Sequence, residues 1–219
     1  MNWRIWQLAD SAFPTGGFAH SGGLEAALQQ GEIQNLDEFK TFITAALWQA
    51  GFGGLPLLNS AHSSLDSISE LDQLCDVFIT NHVANRASRV QGRSFFSACL
   101  RSFSFGQLVG LDELMKEQGL FRHYAPVFGG VLSILEIDLR SSQMLFLYCQ
   151  LRGLLSASVR LGITGPYQSQ KIQFEFANEL EKIVQHCGRL KSDELSQSAP
   201  LLDLFQANHD RLYSRLFQS

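Results

Sequence analysis

A serine stands between a histidine and two glycines in the segment Ala19-His20-Ser21-Gly22-Gly23. This small-x-Ser-x-Gly pattern can form the sharp turn that presents a nucleophilic serine in α/β-hydrolases. The turn needs a buried strand before the serine, and residues 14–17, Pro-Thr-Gly-Gly, cannot form one. Ser21 is better interpreted as the N-cap of a helix. A helical hydrolase that uses Ser21 is therefore the weakest of the functional hypotheses.

The histidines and cysteines do not have the spacing of a metal site. No two histidines are separated by four residues, and no Cys-x-x-Cys pair is present. We therefore expect neither a stable metal site nor a cofactor, and we interpret the cysteines as free thiols in a reducing cytosol. A passing ion could make a transient contact with exposed histidines or with carboxylates such as Glu25. The histidines of the chain are His20, His62, His82, His123, His186 and His209, and its cysteines are Cys75, Cys99, Cys149 and Cys187.

Two glycines before a helix, Gly16 and Gly17, could place backbone N–H groups near a phosphate. A nucleotide-binding loop also requires a strand before the glycines and a Lys-Ser/Thr pair at fixed spacing after them. Neither is present, so the sequence does not predict a nucleotide site.

The last residues combine aromatic, apolar and cationic side chains, as protein interfaces often do. Tyr213, Arg215, Leu216 and Phe217 fall within five residues of one another. Apolar chain ends usually dock on something, so we expect this tail to bind a partner. The alternative is that Leu216 and Phe217 fold back on their own domain. Arg160 leaves a similar choice open between capping a helix end and recognition.

Composition sets the class of protein. The 219 residues are 45% hydrophobic and only 17% charged, which indicates a globular chain with extensive neutral surface. A net charge of −4 gives no basic footprint for nucleic acid. The N-terminal residues lack a signal-peptide pattern, and no run of eighteen apolar residues is uninterrupted. We expect a cytoplasmic protein that binds neither nucleic acid nor membrane.

Leucine dominates the apolar residues and strict alternation is rare, which favours helix over strand. We predict an all-α fold, a single globular domain over residues 1–219 with about ten helices and a partner-binding tail over about residues 200–219. The longest predicted helices cover about residues 85–103, 139–161 and 167–187.

Several helix starts can also be predicted. Asn35 and Asp138 are candidate N-caps, and Ser67-Ile68-Ser69-Glu70 has the form of a capping box. A break near Asn81 is left open.

Five blocks of sequence carry a family resemblance. The chain resembles urease accessory proteins of the UreF type in the glycine-rich stretch from Gln7 to Glu25, and the resemblance continues in order almost to the end of the chain. The later blocks are Asn85–Gly92, His123–Gly129, Ser158–Leu161 and Leu212–Ser219.

The resemblance implies a helical scaffold that makes or breaks no bond itself. Such proteins form homodimers, bind the accessory protein UreD/UreH, and recruit the GTPase UreG. The assembly then docks on apo-urease and supports GTP-dependent nickel insertion, with nickel present only in transit.

The resemblance also implies roles for individual residues. Those linked to UreG and to control of assembly are Phe18, His20, Glu25 and Arg160. Tyr148 matches a position at the homodimer interface. Tail residues Tyr213, Arg215, Leu216 and Phe217 match the segment that becomes ordered against UreD/UreH. A competing hypothesis makes the chain a GTPase activator that acts on UreG through Arg160.

Overall fold

The computed structural model describes residues 2–219, and this part of the chain contains helices, turns and loops but no strand. The predicted all-α fold is confirmed. The α-helices within these residues are α1 (Trp3–Ala9), α2 (Leu24–Gln29), α3 (Leu36–Gly53), α4 (Leu55–Ser63), α5 (Ile68–Phe78), α6 (His82–Ser102), α7 (Gly106–Glu117), α8 (Tyr124–Ile134), α9 (Leu139–Arg160), α10 (Pro166–Glu175), α11 (Ala177–Cys187) and α12 (Pro200–Asn208).

Helix α8 lies at the centre of the core and packs most extensively against α4 and α6. Two glycines allow close approach of the backbones there. A Cβ atom at Gly129 would lie 2.3 Å from the carbonyl oxygen of Leu58 on α4. A Cβ atom at Gly92 on α6 would lie 1.9 Å from the carbonyl oxygen of Arg122, just before α8. Both distances are too short for any side chain, so glycine is required for this packing.

The predicted asparagine and aspartate caps are confirmed. The Asn35 side chain accepts from the N–H groups of Asp37 and Glu38, and Asp138 accepts from that of Ser141. These bonds satisfy donors that a helix N-terminus leaves free. The open question near residue 81 also has an answer, because Asn81 caps α6 and separates it from α5.

One predicted helix is two helices. Residues 167–187 were expected to be continuous, but α10 ends at Glu175 and α11 begins at Ala177. Phe176, between them, is buried in the core. No glycine or proline marks the break, which falls where this ring enters the core.

The predicted capping box at Ser67 is wrong. Ser67 ends a short 3₁₀ helix and has helical backbone angles (φ −84°, ψ −1°), whereas a capping residue is usually extended. Its hydroxyl instead donates to the carbonyl oxygen of Ser64, at 2.8 Å.

The run Leu36–Ser63, which combines α3 and α4, is long and apolar enough by length and composition to cross a membrane. Half of its most apolar window is buried inside the fold, and a buried core helix meets the same criterion. The run is also divided at Gly54, and α4 buries the amide of Asn59. The expectation that this chain binds no membrane stays a prediction.

Candidate functional site

The glycine-rich segment between α1 and α2 has a backbone that side chains rarely permit. Gly16, Gly22 and Gly23 have positive φ angles of 75°, 61° and 89°. A Cβ atom at Gly23 would also lie 3.2 Å from the backbone nitrogen of Gln206 on α12. The loop is thus shaped for close contact with the C-terminal part of the chain.

The C-terminal residues return to this loop and bond to its backbone. The N–H of Gln218 donates to the carbonyl of Ala19 at 2.8 Å, and the N–H of Ser21 donates to the carbonyl of Ser219 at 2.6 Å. We call this region the tail clasp. It consists of residues 18–21, Glu25, Arg160, His209 and residues 216–219.

Glu25 provides the buried charge of the tail clasp. Its side chain lies on α2 and the residue is 1% exposed. The carboxylate accepts from the N–H groups of Leu216 (2.7 Å) and Phe217 (3.3 Å), and its Oε2 lies 3.2 Å from Nε2 of His209. A buried carboxylate is costly unless it is paired in this way. Glu25 is therefore not the exposed carboxylate that the sequence suggested for a transient ion contact.

Arg160 joins the loop to the tail from the C-terminal end of α9. Its guanidinium donates to the carbonyl oxygens of Phe18 (2.7 Å) and Leu216 (3.3 Å). It also lies over two rings, 4.2 Å from the centroid of Phe18 and 4.1 Å from that of Phe217. A planar guanidinium can stack and form two hydrogen bonds at once, which an ammonium cannot do.

His20 lies under the tail and is buried. Its Nδ1 is hydrogen-bonded to the hydroxyl of Ser219, while its Nε2 has no partner among the described residues. Burial lowers the pKa of His20 to about 4, and the nearby Arg86 and His209 act in the same direction. The imidazole is therefore neutral at pH 7.

The tail itself is divided between buried and exposed side chains. Phe217 is 5% exposed, so for this residue the structure shows the fold-back alternative. Leu216 is 61% exposed and Tyr213 is fully exposed, while Arg215 pairs with Asp210 at 3.3 Å. On the loop, Phe18 is 67% exposed. Phe18 and Leu216 thus expose apolar surface on the tail clasp, and Tyr213 exposes its ring beside it.

Tyr148 lies apart from this cluster. It is on α9, twelve residues before Arg160, which corresponds to about 18 Å along the helix axis. The side chain is half-buried, and the guanidinium of Arg152 lies 5.7 Å from its ring centroid. Its role in dimerisation stays a prediction.

Ser21 does not have the environment of a nucleophile. It is 1% exposed, its hydroxyl donates to the carbonyl of Ser219, and it contacts no histidine nitrogen within hydrogen-bond distance. Nor is it the N-cap of α2, because that position is occupied by Gly23. Among residues 2–219, no three His, Cys, Asp or Glu side chains are grouped to hold a metal ion.

A cavity of about 440 Å³ lies beneath the loop. Phe13, His20, Tyr124 and Cys149 contribute to its lining, so it combines aromatic walls with a few polar groups. Burial raises the pKa of Cys149 to about 11, which keeps this thiol protonated at pH 7. None of the four cysteines forms a disulfide in the described chain.

Sequence reasoning did not foresee a buried polar network near the start of α8. His123 is fully buried, with Nδ1 3.0 Å from the hydroxyl of Ser88 and Nε2 2.9 Å from a carboxylate oxygen of Asp76. Asp72 accepts from the N–H groups of residues 121–123. These contacts are long-range, so spacing along the chain could not reveal them.

The fold and the site define an all-α protein whose glycine-rich loop and C-terminal tail are joined by one buried carboxylate and one arginine. The UreF family model matches residues 33–177, and the chain belongs to this family of urease accessory proteins. Urease accessory protein F of Arabidopsis thaliana is 35% identical over 223 residues, covering 100% of this chain and 93% of that protein.

Two further urease accessory proteins are similar to nearly the whole chain. Urease accessory protein F of Oryza sativa subsp. indica is 34% identical over 221 residues, which is 98% of this chain and 84% of the relative. Urease accessory protein UreF of Trichodesmium erythraeum is 27% identical over 219 residues, with 97% and 94% covered. The similarity therefore extends over the loop and the tail as well as the central helices.

Proposed function

We propose that this chain is a non-catalytic, cytoplasmic scaffold in urease maturation. As a homodimer it binds UreD/UreH and the GTPase UreG, and the assembly acts as a chaperone that supports GTP-dependent nickel insertion into apo-urease. The observation that supports this most is the tail clasp. It joins Arg160 to Phe18 and to the tail that Glu25 binds, although Arg160 is distant from both in sequence, and it exposes the apolar side chains of Phe18 and Leu216.

The arrangement suits assembly because the recognition surface is held in one shape before a partner arrives. Glu25 and Arg160 bind backbone groups of the tail, so their charges are used to position it. The exposed Tyr213 and Leu216 are then available to a partner. Preorganisation of this kind lowers the entropic cost of binding.

The proposal is tested by maturation of urease in cells that supply UreD, UreG and nickel. Tyr213→Ser combined with Leu216→Ser changes only exposed side chains, so the fold should be unaffected. We expect this double variant to lose co-purification with UreD/UreH and to leave urease inactive. Phe174→Ser, which removes an equally exposed ring on α10, is the matched control. Normal maturation in cells that lack the protein altogether would overturn the proposal.

The homodimer is tested separately through Tyr148. Tyr148→Glu places a charge on a half-buried position of α9, so a dimer that uses this face should dissociate. Sedimentation would show a monomer for the variant and a dimer for the original chain. A variant that remains dimeric would exclude Tyr148 from the interface.

The competing hypothesis of GTPase activation through Arg160 is less well supported. An arginine that stabilises transferring phosphates must reach them, and the Arg160 guanidinium lies between two rings and bonds two carbonyls. Single-turnover GTP hydrolysis by UreG, with and without the scaffold complex, tests this. A rise of about a thousandfold that is lost in Arg160→Ala would favour activation.

A nickel route through the interior is part of the proposal. The cavity beneath the loop is lined by His20, whose Nε2 has no partner within the described residues. One neutral imidazole suits a brief contact with a divalent ion, since firm binding needs several converging ligands. Nickel is thus cargo in this proposal.

A further inference from the structure

Helix α6 differs in charge from the rest of the chain. The sequence as a whole carries a net charge of −4, but residues 82–102 contain four arginines and no acidic residue. Arg86, Arg89 and Arg93 are spaced at i, i+3 and i+7, so they lie on one face of the helix. A local excess of positive charge on an acidic protein attracts anionic groups to that face.

These three arginines line an open cleft of about 520 Å³. We call it the α6 cleft. Its lining residues are Asp76, Ile79, Thr80, His82, Asn85, Arg86, Arg89 and Arg93. The cleft is distinct from the cavity beneath the glycine-rich loop, because the two share only Ile79 among their lining residues.

The charges around the cleft do not balance. Asp76 is paired with Arg89, and Asp210 is shared by His82 (3.2 Å), Arg86 (2.9 Å) and Arg215 (3.3 Å). Arg93 is exposed and forms no ion pair within residues 2–219. Three guanidinium groups therefore share two carboxylates, and the guanidinium of Arg93 has none.

Both carboxylates are ionised at neutral pH. Burial opposes ionisation of Asp76, but hydrogen bonds from Asn85, Arg89 and His123 outweigh it and hold its pKa at about 2. The hydrogen bond from Arg86 likewise keeps the pKa of Asp210 below its usual range. The excess of two positive charges is thus present at physiological pH.

The geometry of the existing pairs indicates which anion fits. Arg86 binds Asp210 through both terminal nitrogens, at 3.2 Å and 2.9 Å to the two carboxylate oxygens. This two-point contact is the geometry that a guanidinium forms with carboxylates. An extended polyanion such as nucleic acid would be repelled by the remaining surface, whereas a short acidic segment needs only the cleft.

We propose that the α6 cleft docks an acidic segment of a partner protein, and that Arg93 supplies the guanidinium left free to bind its carboxylate. The inference rests on the proposed function, because the partner is a component of the urease-maturation assembly. The cleft adjoins the tail clasp because Asp210, which pairs with Arg86 of the cleft, follows His209 of the clasp directly in the chain, so one partner can contact both.

The test replaces Arg93 by a group that reports contact with a carboxylate. Arg93→Lys introduces a primary amine, which a carbodiimide couples to a carboxylate in direct contact with it, with loss of water. The complex with UreD, UreG and urease is assembled, cross-linked and analysed by mass spectrometry. We expect an amide link from position 93 to an aspartate or glutamate of one partner. Arg101→Lys, two turns further along α6 and outside the cleft, is the matched control.

Charge reversal gives the second measurement. Arg93→Glu should weaken binding of that partner roughly tenfold, the loss expected for one charge-assisted contact, while Arg101→Glu leaves it unchanged. Equal effects at the two positions, or an intact complex with no link from position 93, would overturn the inference and leave the proposed function standing. Failure of the unaltered chain to form any complex would instead overturn the proposed function. Binding of nucleic acid to the α6 cleft, with no protein segment bound there, would also contradict the assignment of the cleft to an acidic protein segment.

Discussion

The tail clasp and the centre of the fold are held together by different forces. Around α8 most contacts are apolar, and glycines let the helix backbones approach until no Cβ atom fits. In the tail clasp a carboxylate and a guanidinium bind backbone groups, and several apolar side chains stay exposed. We therefore expect changes at the centre to lower global stability, and changes in the tail clasp to act locally on the tail.

The largest effect is expected at the centre. Gly129→Ala places a Cβ atom 2.3 Å from the Leu58 carbonyl oxygen, so α4 and α8 must separate. We expect a loss of roughly 3 kcal/mol in the free energy of unfolding, since overpacked cores cannot relax fully. Chemical denaturation followed by circular dichroism measures it.

Gly110→Ala is the matched control for this prediction. Gly110 is on α7 with no atom within 4 Å of its Cβ position, so alanine there should stabilise the protein by about 0.5–1 kcal/mol. Equal destabilisation at the two glycines would contradict the role given to close helix packing.

A smaller and local effect is expected at Glu25. Glu25→Gln removes the negative charge and leaves only one oxygen to accept from the N–H groups of residues 216 and 217. We expect the tail to lose about 2 kcal/mol of local stability. Hydrogen exchange should increase in the tail and stay unchanged in α8. Glu38→Gln alters an exposed glutamate that also accepts from a backbone N–H, and it should change hydrogen exchange neither in the tail nor in α8. Global unfolding of the Glu25 variant would remove the distinction between the two regions.

Arg160 offers a graded test of the same region. Arg160→Lys keeps the cation but loses the planar contact with Phe18 and Phe217, and Arg160→Ala loses both. We expect about 1 kcal/mol of lost tail protection for alanine and less for lysine, because the group is exposed. Limited proteolysis of the tail measures this. Full tail protection in the lysine variant would show that the planar contact with the two rings contributes nothing.

A further local effect concerns pH. His20 has a pKa of about 4 when buried and about 6.5 when exposed, so the opened state binds more protons between these values. Stability of the tail clasp is therefore complete above about pH 6.5 and decreases as the pH falls towards 4. Hydrogen exchange of residues 216–219 at pH 7 and pH 5 checks it. In His20→Gln this pH dependence should disappear, and a dependence that persists would assign it to another group.

The contrast also explains what could be predicted from sequence. Helices with side-chain caps, such as those begun by Asn35 and Asp138, were located because their signals are local. The break at Phe176 carries no such signal and follows the packing of a ring in the core. Ser67 shows the converse, since a capping pattern has no effect where the residue belongs to a preceding 3₁₀ turn.

The candidate site also has features that could be predicted from the sequence and features that only the structure shows. The family resemblance selected Phe18, Glu25 and Arg160, but only the structure shows that Arg160 binds Phe18 and that Glu25 and Arg160 bind the same two tail residues. Residue type alone made Glu25 appear exposed, because a carboxylate is buried only when long-range partners satisfy it. The arginines of the α6 cleft could have been found from their helical spacing, but the shortage of neighbouring carboxylates could not.

Helix α8 buries ten of its eleven residues, and this has a consequence for synthesis of the chain. A helix this apolar would expose an aggregation-prone surface if it emerged from the ribosome before the helices that pack against it. Both of its main neighbours, α4 and α6, precede it in the chain and are made first. The order of translation therefore delivers the covering helices before the segment that needs them.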